Sequence, residues 1–231
     1  MDRPSPYATV ASQGPPPPSF LKSLFSLVHD MSAVQRFSRL RMVHPENVLA
    51  HTGMVCVFAY AIASTLIEKG RRELRPLDLS VVLARAVVHD MDETITGDIV
   101  RPTKYFSGTL REELGKLEAE GISNIAAALG LQLIKPTFDF AKYGREGYVV
   151  KLADMLSALC TVYIEVCVVG NSAMMQAAQG MKRGLKDLHY GPERWNKAEL
   201  VVIDAILDEA NVMLDVVMLH SNPLPSLHKE R

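Results

Sequence analysis

The chain has 231 residues, 48% of them hydrophobic and 22% charged, an ordinary globular composition with enough length for one sizeable core. Its 25 basic and 26 acidic residues leave a formal charge of −1, which excludes a general field drawing it to duplex nucleic acid or an anionic membrane. Cys56, Cys160 and Cys167 form no CxxC pair, so a disulfide framework is not expected, and the apolar runs around Cys56 and Cys160 would bury these two as small hydrophobes.

Residues 1–18 combine Pro4, Pro6 and the run Pro15 to Pro18 with few large apolar groups, which predicts an extended tail ahead of a single domain over residues 19–220. That start lacks the basic-then-apolar layout of a secretory leader, and the expected compartment is the cytoplasm. Phe20, Leu21, Leu24, Phe25, Leu27 and Val28 recur at helical spacing behind Ser19, a candidate cap. Pro45 and the potential cap Asn47 predict a second helix from Asn47 to Lys69, stopped by Gly70. Its most apolar stretch, Gly53 to Ile67, is shorter than the roughly 20 residues of a membrane span and reads as a core helix. Asp78 caps a third predicted helix, Leu79 to Asp92, apolar around its circumference and ending in His-Asp. Thr94 to Ser107, with Gly97 and Pro102, reads as a loop with at most a turn of helix. A polar helix, Gly108 to Glu120, precedes a short apolar segment, Ile122 to Leu133, and the breaker Pro136. A long helix over Arg145 to Val169 follows, then helices over Ala173 to Leu188 and Lys197 to Leu219, and a loose tail over 221–231. The expected class is all-α, with no strand alternation and no internal repeat.

His and Asp seldom enter apolar helices without partners, yet His51, His89, Asp90 and Asp154 all stand in such surroundings. One shared divalent ion would satisfy all four. Neutral imidazoles and carboxylates suit a transition metal such as Zn²⁺, Mn²⁺, Co²⁺, Fe²⁺ or Ni²⁺. Taken singly, a helical histidine or a His-Asp dipeptide is ordinary.

The order His51, then His89-Asp90, then Asp154 resembles the H…HD…D signature of the HD-domain phosphohydrolase superfamily. Arg36-Phe37 followed by Glu46-Asn47-Val48 and His51 resembles the RW…ENVxxH opening of the bacterial 5′-deoxynucleotidases, the YfbR-like proteins. VHDMDETITGDIVRPTKYF, Val88 to Phe106, is similar to their HDxxExxTGDxxxPxKYF block, and VKLADMLSAL, Val150 to Leu159, to their VKxADxLxA helix. These blocks lie within residues 31–170.

The resemblance implies an HD-domain helical bundle, a homodimer, a metal held by His51, His89, Asp90 and Asp154, and a small deoxynucleotide as substrate. It assigns Glu93 to positioning or deprotonating the attacking water, Asp98 to the sugar or the water, and Arg36 and Lys104 to the phosphate. Phe37 stands where the family has Trp, the ring that crowds the 2′ position of the sugar. The leading expectation is hydrolysis of 2′-deoxyribonucleoside 5′-monophosphates. Two rivals stand beside it: a deoxynucleoside triphosphohydrolase, drawing on Arg101 with Lys104, and a non-catalytic nucleotide-binding HD module.

Overall fold

The computed structural model describes residues 19–70, 77–189 and 195–220; the tails expected over 1–18 and 221–231 lie outside them. The elements are α1 (Phe20–Ala33), α2 (Val48–Lys69), α3 (Leu79–Val88), α4 (Glu93–Thr96), α5 (Arg101–Lys104), α6 (Gly108–Leu129), α7 (Ile134–Asp139), α8 (Gly144–Tyr163), α9 (Met175–His189) and α10 (Lys197–Leu219). A π-helical turn, Ile164–Val168, continues α8, and a 3₁₀ turn, Ser172–Met174, leads into α9. No strand occurs among the described residues, in keeping with the all-α expectation.

The capping residues act as their chemistry dictates. The Asn47 side chain accepts from Ala50 N–H at 2.8 Å, Asp78 accepts from Ser80 and Val81, and Asn196 with Glu199 closes a reciprocal capping box at α10. Ser19 differs: it precedes α1, but its side chain makes no capping bond.

Three boundaries depart from expectation. The third helix stops at Val88, and residues 89–92 continue in tight turns, with Met91 N–H on Val88 O and Glu93 N–H on Asp90 O. At this exit of α3 both residues reach one site, His89 Nε2 lying 3.1 Å from Asp90 Oδ2. The polar helix and the apolar segment after it fuse into α6, because nothing between them breaks a helix. Gly121 is there for contact: a Cβ at that position would fall 2.1 Å from Ile95 Cδ1, so its absence lets α6 lie against α4. Pro136 sits inside α7 rather than before a break, in the first turn, where its missing N–H is no loss.

Two apolar clusters form the interior. The larger joins α2, α3, α8, α9 and α10 through residues such as Val55, Leu66, Val82, Leu152, Leu159, Leu185 and Leu207. The smaller lies under α1, α6 and α7 and includes Met31, Val48, Val88, Ile122 and Leu129. Helix α2 is the one described helix long and apolar enough, by length and composition, to cross a membrane. Its buried face, with Val55, Ala59, Ile62 and Leu66, packs into the larger cluster, the environment of a core helix. Val48 and Val88 belong to the smaller cluster and Val55 and Ala153 to the larger, so His51, His89 and Asp154 lie where the two meet.

Candidate metal centre

The first turn of α2, the end of α3 and the middle of α8 converge on one point. His51, His89, Asp90 and Asp154 each present a ligand atom, and all four atoms lie within 4.8 Å of one another. His51 Nε2 is 3.1 Å from Asp154 Oδ1 and 3.6 Å from Asp90 Oδ2, and His89 Nε2 is 3.1 Å from Asp90 Oδ2. Both histidine side chains are fully buried.

The outward nitrogens decide which inward atoms are available. His89 Nδ1 is 2.7 Å from Ala86 O, and a carbonyl only accepts, so Nδ1 carries a proton and Nε2 is the nitrogen turned toward Asp90. His51 Nδ1 is 3.1 Å from Ser157 Oγ and 3.1 Å from Glu46 Oε1, the latter outside hydrogen-bond geometry; a carboxylate there likewise favours the proton on Nδ1. Buried His89 Nε2 finds no hydrogen-bond partner, although a carboxylate oxygen is 3.1 Å away. Two imidazoles and two carboxylates that converge so closely are a donor set for a divalent transition metal, whose binding would take the Nε2 lone pairs of the neutral rings. The residues fit the ion that the motif implies.

Four further groups surround this cluster. Arg36 is almost buried and bridges its carboxylates: Nη1 donates to Asp90 Oδ2 at 2.9 Å, with Glu93 Oε2 at 3.7 Å and Asp154 Oδ1 at 3.9 Å from the guanidinium. Glu93 opens α4, and its buried Oε2 has no hydrogen-bond partner. Phe37 packs on the larger cluster with φ of +52°, a left-handed conformation uncommon for an aromatic residue. Asp98 holds it there, accepting from Phe37 N–H at 2.8 Å, and Gly97, with φ of +72°, supplies the turn that brings Asp98 back.

Lys104 is placed differently. Its Nζ pairs with Glu118 Oε1 at 2.7 Å, tying α5 to α6, while Asp92 acts on it only through its field. The side chain of Arg101 lies outside the described residues.

Two charged residues at this site carried no role in the sequence reading. Glu46 is buried, accepts from Thr161 Oγ1, sits beside Arg36 Nε at 3.7 Å and reaches His51; a carboxylate in the opening motif was its only signal. Lys142, on the turn between α7 and α8, brings Nζ to 3.3 Å from Asp90 Oδ1, and nothing in its local sequence marks it.

The electrostatics follow from this crowding. Burial opposes the charge on Asp90, but His89, Lys142 and Arg36 outweigh it and hold its carboxyl well below the usual range. Asp154 is likewise held down to about 2, its bond to His51 overcoming burial. Glu93 goes the other way: burial first, then the neighbouring Asp90 charge, push it up to about 9. Within one site, two carboxylates are held toward the ionised form and, without an ion bound, a third toward the neutral one.

Comparison with known proteins agrees with this geometry. Residues 23–196 match the family described as 5'-deoxynucleotidase YfbR-like. The 5'-deoxynucleotidase PM0747 of Pasteurella multocida is 26% identical over 182 residues, covering 76% of this chain and 90% of that protein. The 5'-deoxynucleotidase plu3092 of Photorhabdus laumondii is 27% identical over 173 residues, covering 73% and 86%. Among solved structures, the PH0347 protein of Pyrococcus horikoshii matches with a TM-score of 0.64 at 19% identity, over 84% of this chain and 99% of that one. The HD phosphohydrolase DatZ of cyanophage S-2L, bound to dA and one catalytic Zn²⁺ ion, matches with a TM-score of 0.53 at 18% identity, over 83% and 96%. The structural matches carry the fold, shared with the HD phosphohydrolase DatZ, and the family match carries the identity: this chain is a member of the 5'-deoxynucleotidase YfbR-like family.

Proposed function

We propose that this protein hydrolyses 2′-deoxyribonucleoside 5′-monophosphates to the deoxynucleoside and inorganic phosphate, with His51, His89, Asp90 and Asp154 holding the metal. The observation that carries this reading is the meeting of those four ligand atoms within 4.8 Å beside a cation, Arg36, and a carboxylate, Glu93, whose Oε2 is 3.7 Å from that cation. A divalent ion there supplies Lewis-acid polarisation of the phosphoryl group and makes water more acidic.

The chain's own residues do the rest. Water adds to phosphorus and the P–O5′ bond breaks. Glu93 is the group to orient that water and take its proton, and the leaving 5′ oxygen ends as a hydroxyl. Arg36 faces the charge that builds on the phosphoryl oxygens. Asp98 fixes the backbone from which Phe37 projects, which supports the aromatic ring as a wall against the sugar. Lys104 retains its expected part near the phosphate only at a distance, since its ammonium is engaged by Glu118. That engagement leaves Lys104 less available to a tripolyphosphate and to that extent favours a monophosphate. The relatives' names support the same substrate class.

A homodimer in the cytoplasm completes the reading. Exposed apolar residues on α2, Val57 and Tyr60 among them, are in keeping with a second subunit, and free Cys56, Cys160 and Cys167 with a reducing compartment.

Phosphate release from all dNMPs, NMPs and dNTPs, each with Mn²⁺, Co²⁺, Zn²⁺ and Mg²⁺, tests the function directly. Turnover of dNMPs with a transition metal is expected. Release confined to dNTPs would establish the triphosphohydrolase instead, and nucleotide binding without any release would leave the non-catalytic module.

A further inference from the structure

We propose, resting on the deoxynucleotidase reading above, that Lys142 binds the substrate phosphate as a second cation beside Arg36. The two residues take different oxygens of one carboxylate: Arg36 Nη1 is on Asp90 Oδ2 at 2.9 Å and Lys142 Nζ is on Oδ1 at 3.3 Å. Their exposure differs in the direction that matters. The Arg36 side chain is 12% exposed and hemmed in by carboxylates, whereas that of Lys142 is 46% exposed. An ammonium on a flexible, half-solvated stem turns from Asp90 to an arriving anion with little rearrangement.

The backbone under Lys142 is held more firmly than a surface lysine needs. A Cβ on Gly147 would fall 2.5 Å from the Lys142 carbonyl carbon and 3.1 Å from its Cα, so the bare glycine lets the first turn of α8 close against this residue. Arg85 Nη1 donates to Tyr143 O at 2.6 Å, and Ala141 N–H bonds Phe138 O at 2.9 Å. Helices α3, α7 and α8 therefore fix the point from which the lysine swings.

Charge points the same way. The carboxylates of Glu46, Asp90, Glu93 and Asp154 meet at this site. Among the described residues, Arg36 and Lys142 are the two cations whose nitrogens lie within 4.0 Å of them. A dianionic phosphomonoester that enters among these carboxylates meets in Lys142 a cation able to offset their repulsion.

The rival role is indirect, with Lys142 merely orienting Asp90 as a metal ligand. Lys142→Met and Lys142→Arg, each loaded with metal, separate the two. The readouts are metal content and calorimetric affinity for inorganic phosphate and for deoxyadenosine, which lacks a phosphate. The expected result for Lys142→Met is full metal content, phosphate affinity down by about ten- to a hundred-fold as for a lost charged hydrogen bond, and unchanged deoxyadenosine affinity; Lys142→Arg recovers most of the loss. Metal loss, or equal weakening toward both probes, overturns the proposal in favour of positioning, and unchanged phosphate affinity overturns it outright. Should the wild-type protein release no phosphate from any deoxynucleotide, the deoxynucleotidase reading itself fails, visibly before any variant is compared, and this proposal falls with it.

Discussion

His89 gives its Nδ1 proton to the Ala86 carbonyl, and that one bond fixes what the other ring nitrogen offers. Nε2 is left buried beside Asp90 without a hydrogen-bond partner, a situation that costs about 1–3 kcal/mol unless a cation relieves it. The proposed ligands and the carboxylate proposed to handle the proton are therefore expected to behave differently under mutation. His89→Ala or Asp154→Ala is expected to purify without metal and without activity, by elemental analysis and phosphate release. Glu93→Gln should keep stoichiometric metal while losing on the order of 10²- to 10⁴-fold in rate, and metal loss in that variant would make Glu93 a ligand. Phe37 makes a sharper test, because its left-handed backbone and the Asp98 bond hold one side chain in a particular place. Phe37→Trp is expected to raise the ratio of deoxy to ribo kcat/KM and Phe37→Ala to lower it, by about ten-fold for one pocket contact. An unchanged ratio with lowered stability would make the ring simple packing.

Helix starts were readable because capping is local: Asn47, Asp78 and Asn196 each bond an N–H two or three residues on. What was not readable depended on distant partners. The π-helical turn closing α8 follows from Glu165, a buried carboxylate that accepts from Val43 N–H at 2.9 Å and His44 N–H at 2.7 Å across more than a hundred residues of sequence. Those bonds pin the segment that begins with Arg36 and Phe37 to the end of α8. Burial works against the Glu165 charge, but the Asn171 side chain and the two backbone N–H groups outweigh it and hold its carboxyl below the ordinary 4.5. A depressed carboxyl contributes stability that is present above the unfolded value and lost as pH falls through the folded one. Glu165→Gln should therefore lower the urea midpoint at neutral pH, by about 1–3 kcal/mol in stability for the orphaned donors. The difference from wild type should narrow below pH 4.5; a gap that stays constant into acid would show that shape, not charge, is what the residue provides.

Across the molecule, the ligand set was legible and its support was not. His51, His89, Asp90 and Asp154 stood out as polar residues in apolar helices within recognisable blocks, and the structure brings them together. Lys142 and the buried Glu46 had no such setting: their relevance comes from a turn folding back and a helix entrance packing inward. The boundary between α3 and α4 was misplaced for a related reason, since tight turns that aim two adjacent side chains at one point leave no trace in hydrophobic periodicity.

The ligands also have an order in time. His51 and Asp154 are 103 residues apart, and a chain still being synthesised presents its two histidines and Asp90 well before α8 exists to carry the fourth ligand. Helix α2 has its main packing partner in that same α8. The proposed coordination set is therefore complete only once the long-range core has closed, and on this reading metal capture is a late event rather than a seed for folding. Stopped-flow mixing should find refolding equally fast with and without metal, while the loaded protein unfolds more slowly, as expected of an interaction absent from the transition state. Faster refolding in the presence of metal would mean that the half-built set already gathers the chain around it.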